Sequence, residues 1–276
     1  MTEFIFKYGS QKTPKVKRIR NYDKWREAFI LNDSSIHWKE GRSAQSLAED
    51  FMLNNKPGRD MLVQIVEQVT GEEIAGNIEA CIEHESEIDG FLGSGRMQDL
   101  AAFGKLRNNH TFFIGLEAKV DETFDKTIGE KAHIINQYKE THKTTKQHKR
   151  LMNLLQEFLH LQFDESSFPI LPNVPDSIKN LRYQLLYYLA GSFREDADII
   201  FLPVVVYKSN GLHFECYDST IGSQNQNDYE NFRKALDFKK YKTISFEGKD
   251  IDVYSAKIKD LKTNSEKEVY TCYIVK

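Results

Sequence analysis

Two apolar runs, residues 100–103 and 112–116, flank a polar stretch that begins at Gly104 and ends at His110, a pattern that predicts strand, turn and strand. A turn centred on Asn108, the midpoint, sets Asp99 opposite Glu117, because antiparallel partners lie equally far from the turn. Lys119, two residues beyond Glu117, then projects from the same face. Before this hairpin, Ala44, Leu47, Ala48 and Phe51 recur at helical spacing after Ser43, a suitable N-cap. Met61, Leu62, Ile65, Val66 and Val69 predict a second helix between Pro57 and Gly71. Residues 78–89 alternate Cys81, Glu83, Glu85, Glu87 and Asp89 with Ile82 and Ile88, as a strand does.

After the hairpin the period returns to that of helices over residues 149–161 and 178–194, with Pro169, Pro172 and Pro175 interrupting between them. Residues 198–207 form a nearly continuous apolar run, which fits a strand covered on both faces, and residues 212–217 are its expected partner. A further helix over 225–236 and strands over 241–246, 251–258 and 269–275 complete the pattern. The expected architecture is one α/β domain, a mixed sheet flanked by helices, with antiparallel strands added after Gly211.

At 276 residues and 40% hydrophobic composition the chain has enough apolar surface for a full core. The net charge of −3 shows no overall basic bias, so contact with nucleic acid would have to rest on a local patch. Two such patches exist. Residues 12–26 carry seven Lys and Arg against Asp23 alone and read as a basic N-terminal arm covering residues 1–35, either a phosphate contact or a solvated extension. Residues 139–150 bring Lys139, His142, Lys143, Lys146, His148, Lys149 and Arg150 against Glu140, either as a phosphate-binding face or as solvated surface. Cys81, Cys216 and Cys272 lack metal-ligand spacing and suggest reduced thiols in a cytoplasm. No apolar run approaches the length of a membrane span.

Asp99, Glu117 and Lys119 are the candidate chemistry. Two carboxylates supply hard oxygens for Mg²⁺ or Mn²⁺, and an ammonium beside them positions or deprotonates a water, or stabilises charge on a phosphorane. The same residues also fit a solvent-facing Glu/Lys ladder at a strand end, since E-x-K is common by chance. Glu83 or Glu87 on the acidic strand could add a ligand, or form a solvent face. Asp121 continues the alternation of Glu117 and Lys119, whereas Glu122 is expected to point away.

Asp99 followed by Glu117-Ala118-Lys119 resembles the D…(D/E)-x-K signature of the PD-(D/E)XK nuclease superfamily, with Gln98 in the position of the signature's proline. Three segments, residues 37–48, 117–124 and 181–186, are together similar to an uncharacterised bacterial family described as PD-(D/E)XK nuclease-like, over roughly residues 35–210. The resemblance implies a restriction-endonuclease-like fold for residues 36–276, with its core at about 36–210. It implies metal held by Asp99, Glu117 and the Ala118 backbone carbonyl, and Lys119 serving the attacking water. Gln184 and Arg182, on a following helix, would contact a phosphate or the nucleophilic water. The implied activity is metal-dependent cleavage of nucleic acid, DNA before RNA, in bacterial genome defence or processing, with a homodimer as one way to supply affinity. A catalytically silent protein of the same fold that binds nucleic acid or a protein partner is the alternative. A sugar or nucleotide phosphodiesterase is a third.

Overall fold

The two apolar runs pair as a hairpin at the middle of a nine-stranded mixed sheet. In the computed structural model, which describes residues 2–11, 14–32, 38–53, 55–88, 96–141, 146–163, 174–208, 219–261 and 263–276, the hairpin strands are β4 (Arg96–Lys105) and β5 (Thr111–Lys119). Their pairing runs from Lys105↔Thr111 to Leu100↔Leu116, which centres the turn on Asn108. The full order is β2 (Pro14–Ile19), β1 (Phe4–Gly9), β3 (Ile78–Ser86), β4, β5, β6 (Ile199–Val206), β9 (Ser265–Val275), β8 (Lys249–Asp260) and β7 (Lys239–Phe246). β1 runs parallel to β3, β5 to β6 and β6 to β9, and the remaining neighbours are antiparallel.

Parallel neighbours cannot be joined by a tight turn, so helices carry the chain across the sheet. One face is covered by α1 (Tyr22–Leu31), α2 (Ser43–Met52) and α3 (Pro57–Thr70). The other is covered by α4 (Ile128–Thr141), α5 (Lys146–Leu159), α7 (Tyr183–Phe193) and α8 (Ser219–Ala235), with the short α6 (Asp176–Lys179) leading into α7. Period-two alternation distributes the strands between the two layers: Phe112, Ile114 and Leu116 of β5 join the first core and Phe113 the second. β6 is buried on both faces, as its unbroken apolar sequence predicts.

Several expectations are corrected. The basic stretch near the N-terminus is not an arm: β1 pairs with β3, and Trp25, Ala28 and Phe29 of α1 are buried in the first core. Its charges alternate with Val16 and Ile19 on an edge strand, where lysines also discourage pairing with another sheet. Ser43 is the first residue of α2, and Arg42 holds the cap position without a side-chain bond. The helix expected over 178–194 is divided, because Leu181 and Tyr183 turn their backbone groups to Ile128 and Lys126 and so interrupt the helical ladder. β6 takes β5 and β9 as neighbours, and residues 212–217, its expected partner, lie outside the described residues. His142 and Lys143 of the second basic run also lie outside them.

The hairpin depends on one close approach. Gly104 lies opposite Phe112, and a Cβ at Gly104 would fall 2.2 Å from the tip of the Phe112 ring. Phe112 is buried against Phe201, so its ring has little room to turn aside. Gly104→Ala is expected to lower stability by about 1–3 kcal/mol, read as a fall in melting temperature; an unchanged melting temperature would show that Phe112 yields freely.

Candidate active site

β4 leaves β5 at the point where the polar residues begin. The pairing of β4 with β5 ends at Leu100↔Leu116, while that with β3 continues to Ser86↔Arg96. Beyond the divergence the amide of Ala118 has no ladder partner on β4, and the Asp99 carboxylate accepts its N–H at 2.7 Å. N–H and C=O of one strand residue point to the same side, so the Ala118 carbonyl is directed at the same gap.

β3 changes face alongside. Glu83, opposite Asp99, has a φ of +51°, a region rarely adopted by residues with a side chain. As a result Cys81 and His84, three residues apart, both meet the second core, His84 stacking edge-on to Phe103. β4 switches at the opposed position, since Ala101 packs in that core and Gln98 donates to Ser192 of α7. The paired irregularity keeps the register and leaves Glu83 and Asp99 at the wall of a cavity.

That cavity has a volume of about 560 Å³. Its floor is acidic: Glu83, Asp99, Glu117 and Glu122. Lys39, Arg42 and Lys119 also line it, together with Gln184. Glu117 is 1% and Lys119 6% exposed, and the Lys119 ammonium lies 2.9 Å from Glu117 Oε1. Burial alone would push the Lys119 ammonium's pKa down, but Glu117, Asp99 and Glu122 outweigh it and raise it above the ordinary lysine value. Lys119 is therefore a cation at neutral pH; it can donate hydrogen bonds and stabilise negative charge but does not take up a proton. Its ammonium also lies 5.4 Å over the Phe124 ring.

Gln184, the second residue of α7, ties this helix to the strand. Its Oε1 accepts the Asp125 N–H at 3.0 Å, and its Nε2 donates to Glu117 Oε1 at 2.5 Å. The backbone donor fixes which way the amide faces, so the NH₂ is presented to the carboxylate. Glu117 thus has two donors on one oxygen.

Asp99, Glu117, Ala118, Lys119, Gln184 and Glu83 are brought together. Arg182 is not: its Nε donates to Asp228 at 2.7 Å and its Nη1 to the Asp125 carbonyl, and it lies outside the cavity lining. Glu87 is exposed beyond the end of β3 and away from the site, because the face change at Glu83 ends the expected acidic row. Asp121, with φ of +46°, turns the chain after β5, so that Glu122 instead of Asp121 reaches the cavity. The sequence alone assigned Lys39 and Arg42 no role, although both fall in the 37–48 segment that carries the family resemblance. The signal was present in Lys39-Glu40-Gly41-Arg42, where Gly41 adopts a φ of +69° that permits a tight turn.

Asp99, Glu117 and the Ala118 carbonyl are hard oxygen donors suited to Mg²⁺ or Mn²⁺. Among the described residues no group of three His, Cys, Asp or Glu side chains is placed to hold a metal ion, so the backbone carbonyl would be the third protein ligand.

A family model described as a domain of unknown function (DUF6946) matches residues 18–266. The chain belongs to that family. No curated protein and no solved structure matches the chain. The DUF6946 span begins in β2, ends in β9 and includes every residue that lines the cavity.

Proposed function

We propose that this DUF6946 protein is a metal-dependent phosphodiester hydrolase acting on nucleic acid, with DNA as the first substrate to test. The observation that carries this reading is the meeting of Asp99, Glu117 and Lys119 at the divergence of β4 and β5, with Gln184 bound to Glu117. Four carboxylates and three cations line the cavity, a net charge of about −1. A divalent cation brings this to about +1, which suits a phosphodiester anion.

Mg²⁺ or Mn²⁺, held by Asp99, Glu117 and the Ala118 carbonyl, would supply Lewis-acid polarisation and an activated water. The protein's own groups act around it. Gln184 fixes the Glu117 carboxylate, Asp99 bridges to β5, and the Lys119 ammonium stabilises the negative charge that builds on the phosphoryl oxygens. Burial pushes the thiols of Cys81 and Cys272 up to about 12, which leaves them un-ionised and outside the chemistry. No helix among the described residues is long and apolar enough to cross a membrane; a cytoplasmic role in genome defence or processing, alone or as a homodimer, is part of the same proposal.

The test is cleavage of DNA with Mg²⁺ or Mn²⁺ present and after chelation. Wild type is expected to cut only with metal, Asp99→Asn to lose cleavage, and Gln184→Ala to fall 10–100-fold as Glu117 loses its orienting partner. Equal cleavage by wild type and Asp99→Asn would sink the proposal. A second reading, a catalytically silent nucleic-acid binder, draws on the absence of a third acidic ligand among the described residues. It predicts DNA binding without cleavage in either metal.

A further inference from the structure

The cavity is also lined by two cations from a different part of the chain. Lys39 and Arg42 sit in the turn before α2: the Arg42 N–H donates to the Lys39 carbonyl, and Gln45 Oε1 accepts the Gly41 N–H at 2.8 Å, closing it. Arg42 reaches toward the carbonyls of Val120 and Asp121 with one nitrogen, at 3.4 and 3.5 Å, contacts at the outer limit of a hydrogen bond. A guanidinium carries five N–H donors, so most of its capacity is left for another acceptor. Among the described residues no carboxylate pairs with Lys39 or Arg42, although four line the same cavity. Two cations facing a cavity without acidic partners suit an anionic ligand.

We propose that Lys39 and Arg42 are positioning residues that grip backbone phosphate oxygens of a nucleic acid next to the bond presented to Asp99, Glu117 and Lys119. The proposal rests on the hydrolase reading for the identity of the bond, but the phosphate grip itself is measurable without turnover. Arg42 takes two oxygens of one phosphate in its planar fork, and Lys39, exposed at the mouth, acts as a point charge. The near-neutral protein would thereby concentrate its phosphate affinity in one cavity wall.

The experiment measures binding of a short fluorescein-labelled DNA duplex to Glu117→Gln protein in Ca²⁺, as a function of salt. Lys39→Gln with Arg42→Gln is expected to weaken binding about 10-fold or more at low salt and to reduce the slope of log K against log[salt] by roughly 0.7–0.9 for each cation removed. Lys39→Gln alone, at an exposed position, should remove one such step even if the Arg42 variant is unstable, and Arg42→Lys should restore most of the slope. An unchanged slope in the folded double variant overturns the proposal, as does failure of the parent protein to bind DNA at all. Binding with the expected slopes, in a protein whose wild type never cleaves, would reject the hydrolase and keep the grip.

Discussion

Lys119→Ala is expected to reduce DNA cleavage at least 100-fold, about 2.7 kcal/mol of lost transition-state stabilisation, and also to destabilise the fold. The first effect follows from removing the ammonium beside the reacting phosphate. The second follows from burial: Glu117 is 1% exposed and would lose its cation while the Gln184 amide stays bound to it. Breaking a buried pair by deleting one partner costs about 3–5 kcal/mol, because the remaining charge is uncompensated. Glu117→Gln in the same protein should recover most of that stability by neutralising the charge, and should recover none of the activity. Melting temperature and cleavage rate measured side by side separate the two. Cleavage at the wild-type rate by Lys119→Ala would end the mechanism.

The pH dependence follows from the same cluster. The Lys119 pKa is raised on folding, so its contribution to stability is complete below the unfolded value and fades only as pH rises through the folded one. Stability measured without divalent metal should therefore show no limb from Lys119 below about pH 10.

Arg194→Met is expected to lower stability as much as Lys119→Ala while leaving cleavage by folded molecules intact. Arg194 follows α7 and donates to two acids from other elements: Asp260 at the end of β8, fully buried, and Glu157 of α5, whose carboxylate lies 2.6 Å away. Its Nε also donates to the Ile88 carbonyl at 3.3 Å. Without the guanidinium, both buried carboxylates lose their shared cation, although Asp260 still accepts from Thr263, and a loss of about 3–5 kcal/mol follows. For a chain of this size that is a fall of roughly 6–20 °C in melting temperature. Replacing Asp260 and Glu157 by apolar residues in the same variant should restore much of it, since the loss arises from burying two carboxylates without their cation. A melting temperature within a degree or two of wild type would show that water compensates both acids.

The sequence by itself determined the hairpin, because an apolar run on each side of a polar turn admits one antiparallel register, and that register holds as far as Leu100↔Leu116, which leaves Asp99 and Glu117 at the same end of the hairpin although they do not pair. It likewise determined α3, whose five apolar residues at helical spacing are all buried, and the C-terminal strands, where alternation is strong. It did not determine that β1 and α1 belong to the core, since the lysines and arginines of residues 12–26 hide the apolar residues around them. Only the tertiary structure decided which side chains reach the cavity. The reversal at Glu83, the left-handed turn at Asp121 and the capture of Arg182 by Asp228 each redirect a residue through backbone geometry or a distant partner that no local pattern encodes. Lys39 and Arg42 join the site because α2 packs against β5, which brings Arg42 to a carbonyl 78 residues away, and such contacts are settled by packing of the whole chain and not by the order of residues along it.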